Sequence, residues 1–126
     1  MQDLVDELKK LLSNFPVVDW KRVIIFAMIS EDSYKITFYL TDYSNKNIQC
    51  YEFCKMGCDE DLIDQIQDNI YELLWPHWQD SQKEHPWTNC TIIINADGSF
   101  SVDYDNSNFE DGFYEYQKEW EKKYLK

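Results

Sequence analysis

Glycine and proline are scarce in this chain, three of each in 126 residues, which leaves little material for flexible linkers or a disordered tail. No run of about 18 apolar residues occurs, so no segment reads as a membrane-spanning helix. The opening stretch MQDLVDELKK carries charges where a signal peptide needs an uninterrupted apolar core. The expectation is a cytoplasmic protein with no membrane contact. Histidine is limited to His77 and His85, and neither an HExxH run, a Gly-rich phosphate loop nor a nucleophile elbow accompanies them. Both read as surface or helix-end residues, and no catalytic residue is assigned. Positive charge is short as well, with 12 Lys and Arg against 24 Asp and Glu for a net charge of -12. Such an excess repels nucleic acid and anionic membranes and attracts a basic partner.

Cysteine is present four times, as Cys50, Cys54, Cys58 and Cys90. In a cytoplasmic chain these are expected as reduced thiols despite the even count, and the sequon Asn89-Cys90-Thr91 is then a chance match. The four-residue steps would align thiolates on a helix, but Cys50 and Cys54 read as strand residues, and only Cys90 and the two histidines offer distant partners. Cysteines packed as small hydrophobes are the plainer account. No metal and no cofactor are expected.

What the chain has is core material: 44% hydrophobic and 17% aromatic residues, enough for one domain over residues 1–126 that buries about two-thirds of its unfolded surface. Leu4, Val5, Leu8, Leu11, Leu12 and Phe15 recur at helical spacing until Pro16. RVIIFAMIS, SYKITFYLTD and NIQCYEFCKM then read as three strands in meander order, separated by EDS and YSNKN. The first is apolar on both faces, so it belongs at the centre of the sheet, covered on both sides. A second helix starts at Asp59 with Leu62, Ile63, Ile66, Ile70, Leu73 and Leu74 inward; Pro76 is expected to kink or break it, with WPHW as an irregular or restarted turn. TNCTIIINADGSFSVDYDN is a hairpin turning at Asp97-Gly98. FEDGFYEYQKEWEKKYLK closes the chain as a helix, capped by Asn108 or Asp111 and aligning Phe113, Tyr116, Trp120 and Tyr124. The order is α-βββ-α-ββ-α, an α+β fold with a largely antiparallel sheet and packed helices.

Charge is unevenly placed along that order. Residues 56–117 hold fourteen acids and the single base Lys83, which points to one acidic face. Asp61, Asp64, Asp68 and Glu72 follow one another at three- and four-residue steps as a stripe on the second helix. Asp59, Glu60 and Asp61 are partly explained by the positive end of the helix dipole. In DGSFSVDYDN the alternation sets Phe100, Val102 and Tyr104 on one face and Ser101, Asp103 and Asp105 on the other. Asp97, Asp103 and Asp105 offer oxygen ligands for Mg²⁺ or Ca²⁺, but turn chemistry accounts for Asp97 and a solvated strand face for the other two. An EF-hand pattern is absent.

HPWTNCTIIINADGSFSVDYDN, followed by YEYQKEWEKKYL, resembles the YezG-like immunity proteins in its Pro-Trp-Thr strand start, its D/G turn, its F-x-x-D-Y-D return strand and its closing helix near Lys-Tyr-Leu. Upstream, DWKRVIIFAMIS and the acidic helix from Asp59 to Trp78 are similar to that family more loosely, so the resemblance covers most of the chain. The resemblance implies a cytoplasmic antitoxin, not an enzyme, that binds and neutralises a secreted polymorphic bacterial toxin, often a nuclease. It places Trp87, Asp103, Tyr104 and Asp105 on the family motif.

Resemblance and charge map agree. A nuclease needs a basic substrate groove, and an acidic face can occupy it as a competing polyanion, in a one-to-one complex without contacting nucleic acid itself. The candidate toxin-binding residues are Asp61, Asp64, Asp68, Glu72, Asp103 and Asp105, with Tyr71, Trp75, Trp78 or Tyr114 as the aromatic anchor that charge alone does not supply. Two rival functions stand beside this one: a general acidic interaction module or nucleic-acid mimic, and a small metal-dependent hydrolase built on Asp97, Asp103 and Asp105.

Overall fold

The computed structural model describes residues 2–13, 20–106 and 113–125. Helix α1 (Gln2–Leu12) leads into strands β1 (Arg22–Ile29), β2 (Tyr34–Thr41) and β3 (Asn47–Gln49); a 3-10 segment (Cys50–Met56) then precedes helix α2 (Glu60–Glu84), the hairpin β4 (Asn89–Asn95) and β5 (Phe100–Asp105), and helix α3 (Phe113–Tyr124). The five strands form one antiparallel sheet in the order β3-β2-β1-β4-β5. This is the α+β fold read from the sequence, in the expected element order.

β1 is the central strand, as its two-sided apolar pattern requires. Its odd-numbered residues Val23, Ile25, Ala27 and Ile29 join Leu4, Val5 and Leu8 of α1 and Ile63, Ile66, Ile70 and Leu74 of α2 in the main core. Ile24 and Phe26 point the other way, into a small cluster with Trp120 of α3, flanked by Phe113, Tyr116 and Tyr124. The sheet is thus sandwiched between α1 and α2 on one face and α3 on the other.

Two local expectations are corrected. NIQCYEFCKM is strand only over Asn47–Gln49, so Cys50 and Cys54 lie on the 3-10 segment rather than in a strand. Local hydrogen bonds override the β-branched and aromatic pattern here: the Gln49 side chain accepts the Tyr51 N–H, the Glu52 carboxylate accepts the Gln49 N–H, and Gly57 ends the segment at φ 99°. Phe53 is buried by that turn. Pro76, expected to kink or break the second helix with WPHW as an irregular or restarted turn, does not break it: it sits inside a continuous α2 that runs to Glu84. Leu74 and Trp78 are both buried on the inner side, and the Trp78 indole donates to the Trp87 carbonyl at 3.0 Å, so packing holds the helix through the position where proline removes one backbone bond.

The β4-β5 turn follows the sequence. Asn95 N–H donates to Ser99 C=O, Gly98 takes φ 96°, and the Asp97 carboxylate accepts both the N–H and the hydroxyl of Ser99 at 2.9 and 2.6 Å. Lys9 reaches from α1 to the Gly98 carbonyl at 3.1 Å and fastens the turn to the first helix. Phe15, Pro16, Asn108 and Asp111 lie outside the described residues.

Candidate functional site

Helix α2 begins where the Asp59 carboxylate accepts the Asp61 N–H at 2.9 Å, with Glu60 and Asp61 at the positive end of the dipole. Its inner side buries Ile63, Ile66, Ile70, Leu74 and Trp78. That packing fixes the rotation of the helix, and Asp61, Asp64, Asp68 and Glu72 all fall on exposed positions. The structure therefore brings the four stripe carboxylates together on one outward face.

Tyrosines from outside the helix order part of that face. The Tyr34 hydroxyl, at the start of β2, donates to Asp68 Oδ1 at 2.5 Å, and the Tyr51 hydroxyl, from the 3-10 segment, donates to Asp64 Oδ1. The hydrogen bond to Asp68, with burial second, pushes the Tyr34 hydroxyl up to about 12 from its ordinary value; burial and the bond to Asp64 raise Tyr51. Both phenols stay neutral donors at neutral pH and hold the carboxylates in place. The Tyr34 ring stacks on Tyr71 at 3.9 Å and 13°, Tyr71 leans on Trp75 at 5.7 Å, and Trp75 stacks on Trp78 at 5.1 Å. An aromatic ladder thus runs beside the acidic stripe. Tyr71 and Trp75 are half-buried members of it, whereas Trp78 is only 8% exposed and supports the ladder from beneath. Between β2, the 3-10 segment and α2 lies an open groove of about 680 Å³, lined among others by Tyr34, Ile36, Tyr51, Asp64 and Asp68.

Asp103, Asp105 and Tyr114 are on the opposite side of the sheet. There the Tyr116 hydroxyl lies 2.6 Å from Asp105 Oδ2 and 2.7 Å from Asn89 Oδ1, the Tyr124 hydroxyl donates to Asp103 Oδ2 at 2.7 Å, and the Trp120 indole donates to Thr91 Oγ1 at 2.8 Å. The aspartates of β5 are acceptors for the aromatic side chains by which α3 docks. Burial first, then the carboxylate acceptor, raises the pKa of both Tyr116 and Tyr124. Tyr114 is 64% exposed, with the Lys118 ammonium 4.5 Å from its ring centre.

Among the described residues no three His, Cys, Asp or Glu side chains come together in a group that could hold a metal ion. Asp97 is turned onto Ser99, away from the bonds that Asp103 and Asp105 make to α3. His77 and His85 are exposed and line an open depression of about 560 Å³ with Asp80, Glu84 and Trp87. None of the four cysteines is in a disulfide; burial pushes the Cys90 thiol up to about 12, so it packs as a neutral side chain. No helix among the described residues is long and apolar enough to cross a membrane. Tyr34 and Tyr51 escape a sequence reading because their partners are 34 and 13 residues away, with no local pattern linking them.

A family model described as "Immunity protein YezG-like" matches residues 1–126. The chain is 29% identical over 120 residues to immunity protein YezG of Bacillus spizizenii strain W23, covering 88% of this chain and 70% of that protein. It is 23% identical over 117 residues to immunity protein YezG of Bacillus subtilis strain 168, covering 88% and 74%.

Proposed function

Because the chain belongs to the YezG-like immunity protein family, we propose that it binds and neutralises a cognate secreted toxin, that this toxin is a nuclease, and that the acidic face of α2 covers its basic substrate groove. One observation carries this reading: α2 sets seven acids against a single lysine, with the stripe turned outward beside aromatic side chains. From Asp61 to Glu72 the four carboxylates span about 16 Å of helix axis at 1.5 Å per residue. One nucleic-acid strand carries about five phosphates over that length, at roughly 3.4 Å each. The stripe approaches the charge density that a nuclease groove is built to hold.

Each part has a task in this mechanism. The stripe draws the toxin in, and complementary fields lift association from about 10⁵–10⁶ toward 10⁸–10⁹ M⁻¹s⁻¹ at low salt. Tyr71 and Trp75 supply the desolvated contact that slows release, with Trp78 as their support. Asp103 and Asp105 act at one remove, by holding α3 on the sheet. Tyr114, exposed on α3, is a second candidate anchor for a toxin that reaches round to that side.

The test is to express the C-terminal domain encoded beside this gene with and without this protein. Relief of toxicity, a one-to-one copurifying complex, and loss of DNA or RNA cleavage when equimolar protein is added are the expected results. Toxicity that the protein does not relieve would overturn the immunity reading. Relief of a toxin that cleaves no nucleic acid would overturn the nuclease part alone.

A further inference from the structure

β3 covers only part of the outer edge of β2. It pairs with Tyr39, Leu40 and Thr41 and then turns away into the 3-10 segment. The phase of the backbone shows which groups are left. Thr41 C=O accepts the Lys21 N–H on the β1 side at 2.7 Å, and backbone groups alternate along a strand, so those of Thr37 and Lys35 also point to β1. Those of Phe38, Ile36 and Tyr34 point outward. The Phe38 N–H goes to the Cys50 sulfur. On the outer side of Tyr34 and Ile36, away from β1, no strand is paired among the described residues, and the groove described above runs along them.

We infer that this edge receives an extended basic segment of the toxin as an added strand, in the line that β3 vacates. The inference rests on the immunity reading and deepens it by naming how the partner is gripped. Backbone hydrogen bonds to Tyr34 and Ile36 provide the register, and alternate side chains of an added strand face opposite ways. One set meets Asp64 and Asp68 on the α2 wall; the other meets Lys35 and Gln117 on the α3 side. Lysine or arginine at every second position of the incoming segment satisfies that wall. A second copy of this chain is disfavoured as the occupant, because edge-to-edge pairing brings the Asp64 and Asp68 carboxylates of both copies together.

The test separates backbone from side chain. Tyr34→Ala and Tyr34→Pro both remove the ring and its bond to Asp68, but only the proline also removes the outward N–H, which points away from β1 and leaves the ladder to β1 intact. Against the toxin domain encoded beside this gene, Tyr34→Pro is expected to bind about tenfold or more weakly than Tyr34→Ala, the worth of a lost hydrogen bond at about 1.4 kcal/mol. Equal dissociation constants for the two variants, with the wild type still binding and protecting, would overturn strand addition and leave the immunity reading standing. Failure of the wild type to bind would overturn both. Should Tyr34→Pro not fold, amide exchange on the wild-type complex decides: slowing of about tenfold or more at Ile36 supports the added strand, and unchanged exchange there sinks it.

Discussion

Among the described residues, one face of the sheet packs twenty-two buried hydrophobic residues under α1, α2 and their neighbours, whereas the other packs three under α3. The small face compensates with direction. Tyr116, Trp120 and Tyr124 each carry a polar tip that reaches a strand side chain, so the seating of α3 is set by hydrogen bonds as much as by apolar area. The difference separates two kinds of acidic residue. The carboxylates of β5 accept the hydroxyls by which α3 docks on the sheet, whereas those of α2 stand on the outside of a helix whose apolar side is already buried. Asp64 and Asp68 are braced by Tyr51 and Tyr34, with no such brace at Asp61 and Glu72 among the bonds described above. Acid that the fold does not require is the acid to examine for function.

The comparison breaks most visibly from the large face. Phe38, fully buried in the main core, loses its contacts on truncation, and Phe38→Ala should cost about 3–5 kcal/mol in urea unfolding. An effect under about 1 kcal/mol would mean that the main core is not where stability resides. Next comes charge without fold. Replacing Asp61, Asp64, Asp68 and Glu72 together by their amides should leave thermal unfolding nearly unchanged while stopped-flow association with the toxin slows about 10- to 100-fold at low salt and loses most of its salt dependence. An unaltered rate would make the stripe ordinary solvated surface.

A smaller effect is expected on the α3 side. Tyr116→Phe removes the hydroxyl between Asp105 and Asn89 and should lower stability by about 1–2 kcal/mol without altering toxin affinity. The reverse outcome, stability kept and affinity lost, would move the interface to that face. The smallest effect concerns Tyr34. Its hydroxyl titrates near 12 when folded and near 10 when unfolded, so the neutral form is favoured by folding. That contribution is full below pH 10 and is lost as pH rises from about 10 to 12. Tyr34→Phe should therefore flatten the alkaline limb of the unfolding midpoint against pH, and an unchanged slope would show the bond to Asp68 to be slight.

Much of this was legible in the residues because it rests on periodicity. The two-sided apolar run 22–29 announced a central strand, the inward positions of α2 fixed its outward stripe, and Asp97-Gly98 placed the hairpin. What stayed hidden depends on competition or distance. The run after Gln49 has strand-forming residues, yet a local capping box wins. Pro76 breaks helices in isolation, yet Leu74 and Trp78 on either side of it are held by the core. The stripe residues could be named, but not the tyrosines that brace two of them, since no short-range pattern joins Tyr34 to Asp68. Nor does sequence alone divide the acids between two faces; that needed the direction in which α3 lies.

The central place of β1 also sets a schedule. One of its edges is matched at once by β2, but the other waits for β4, with Arg22 meeting Asn95 about 70 residues later. At about 5–20 residues per second of synthesis, the sheet stays unfinished for roughly 4–14 s after β1 emerges. A nascent chain cannot shield its maker during that interval. On the immunity reading, protection belongs to molecules completed before the encounter, and standing supply becomes as much a condition of resistance as affinity.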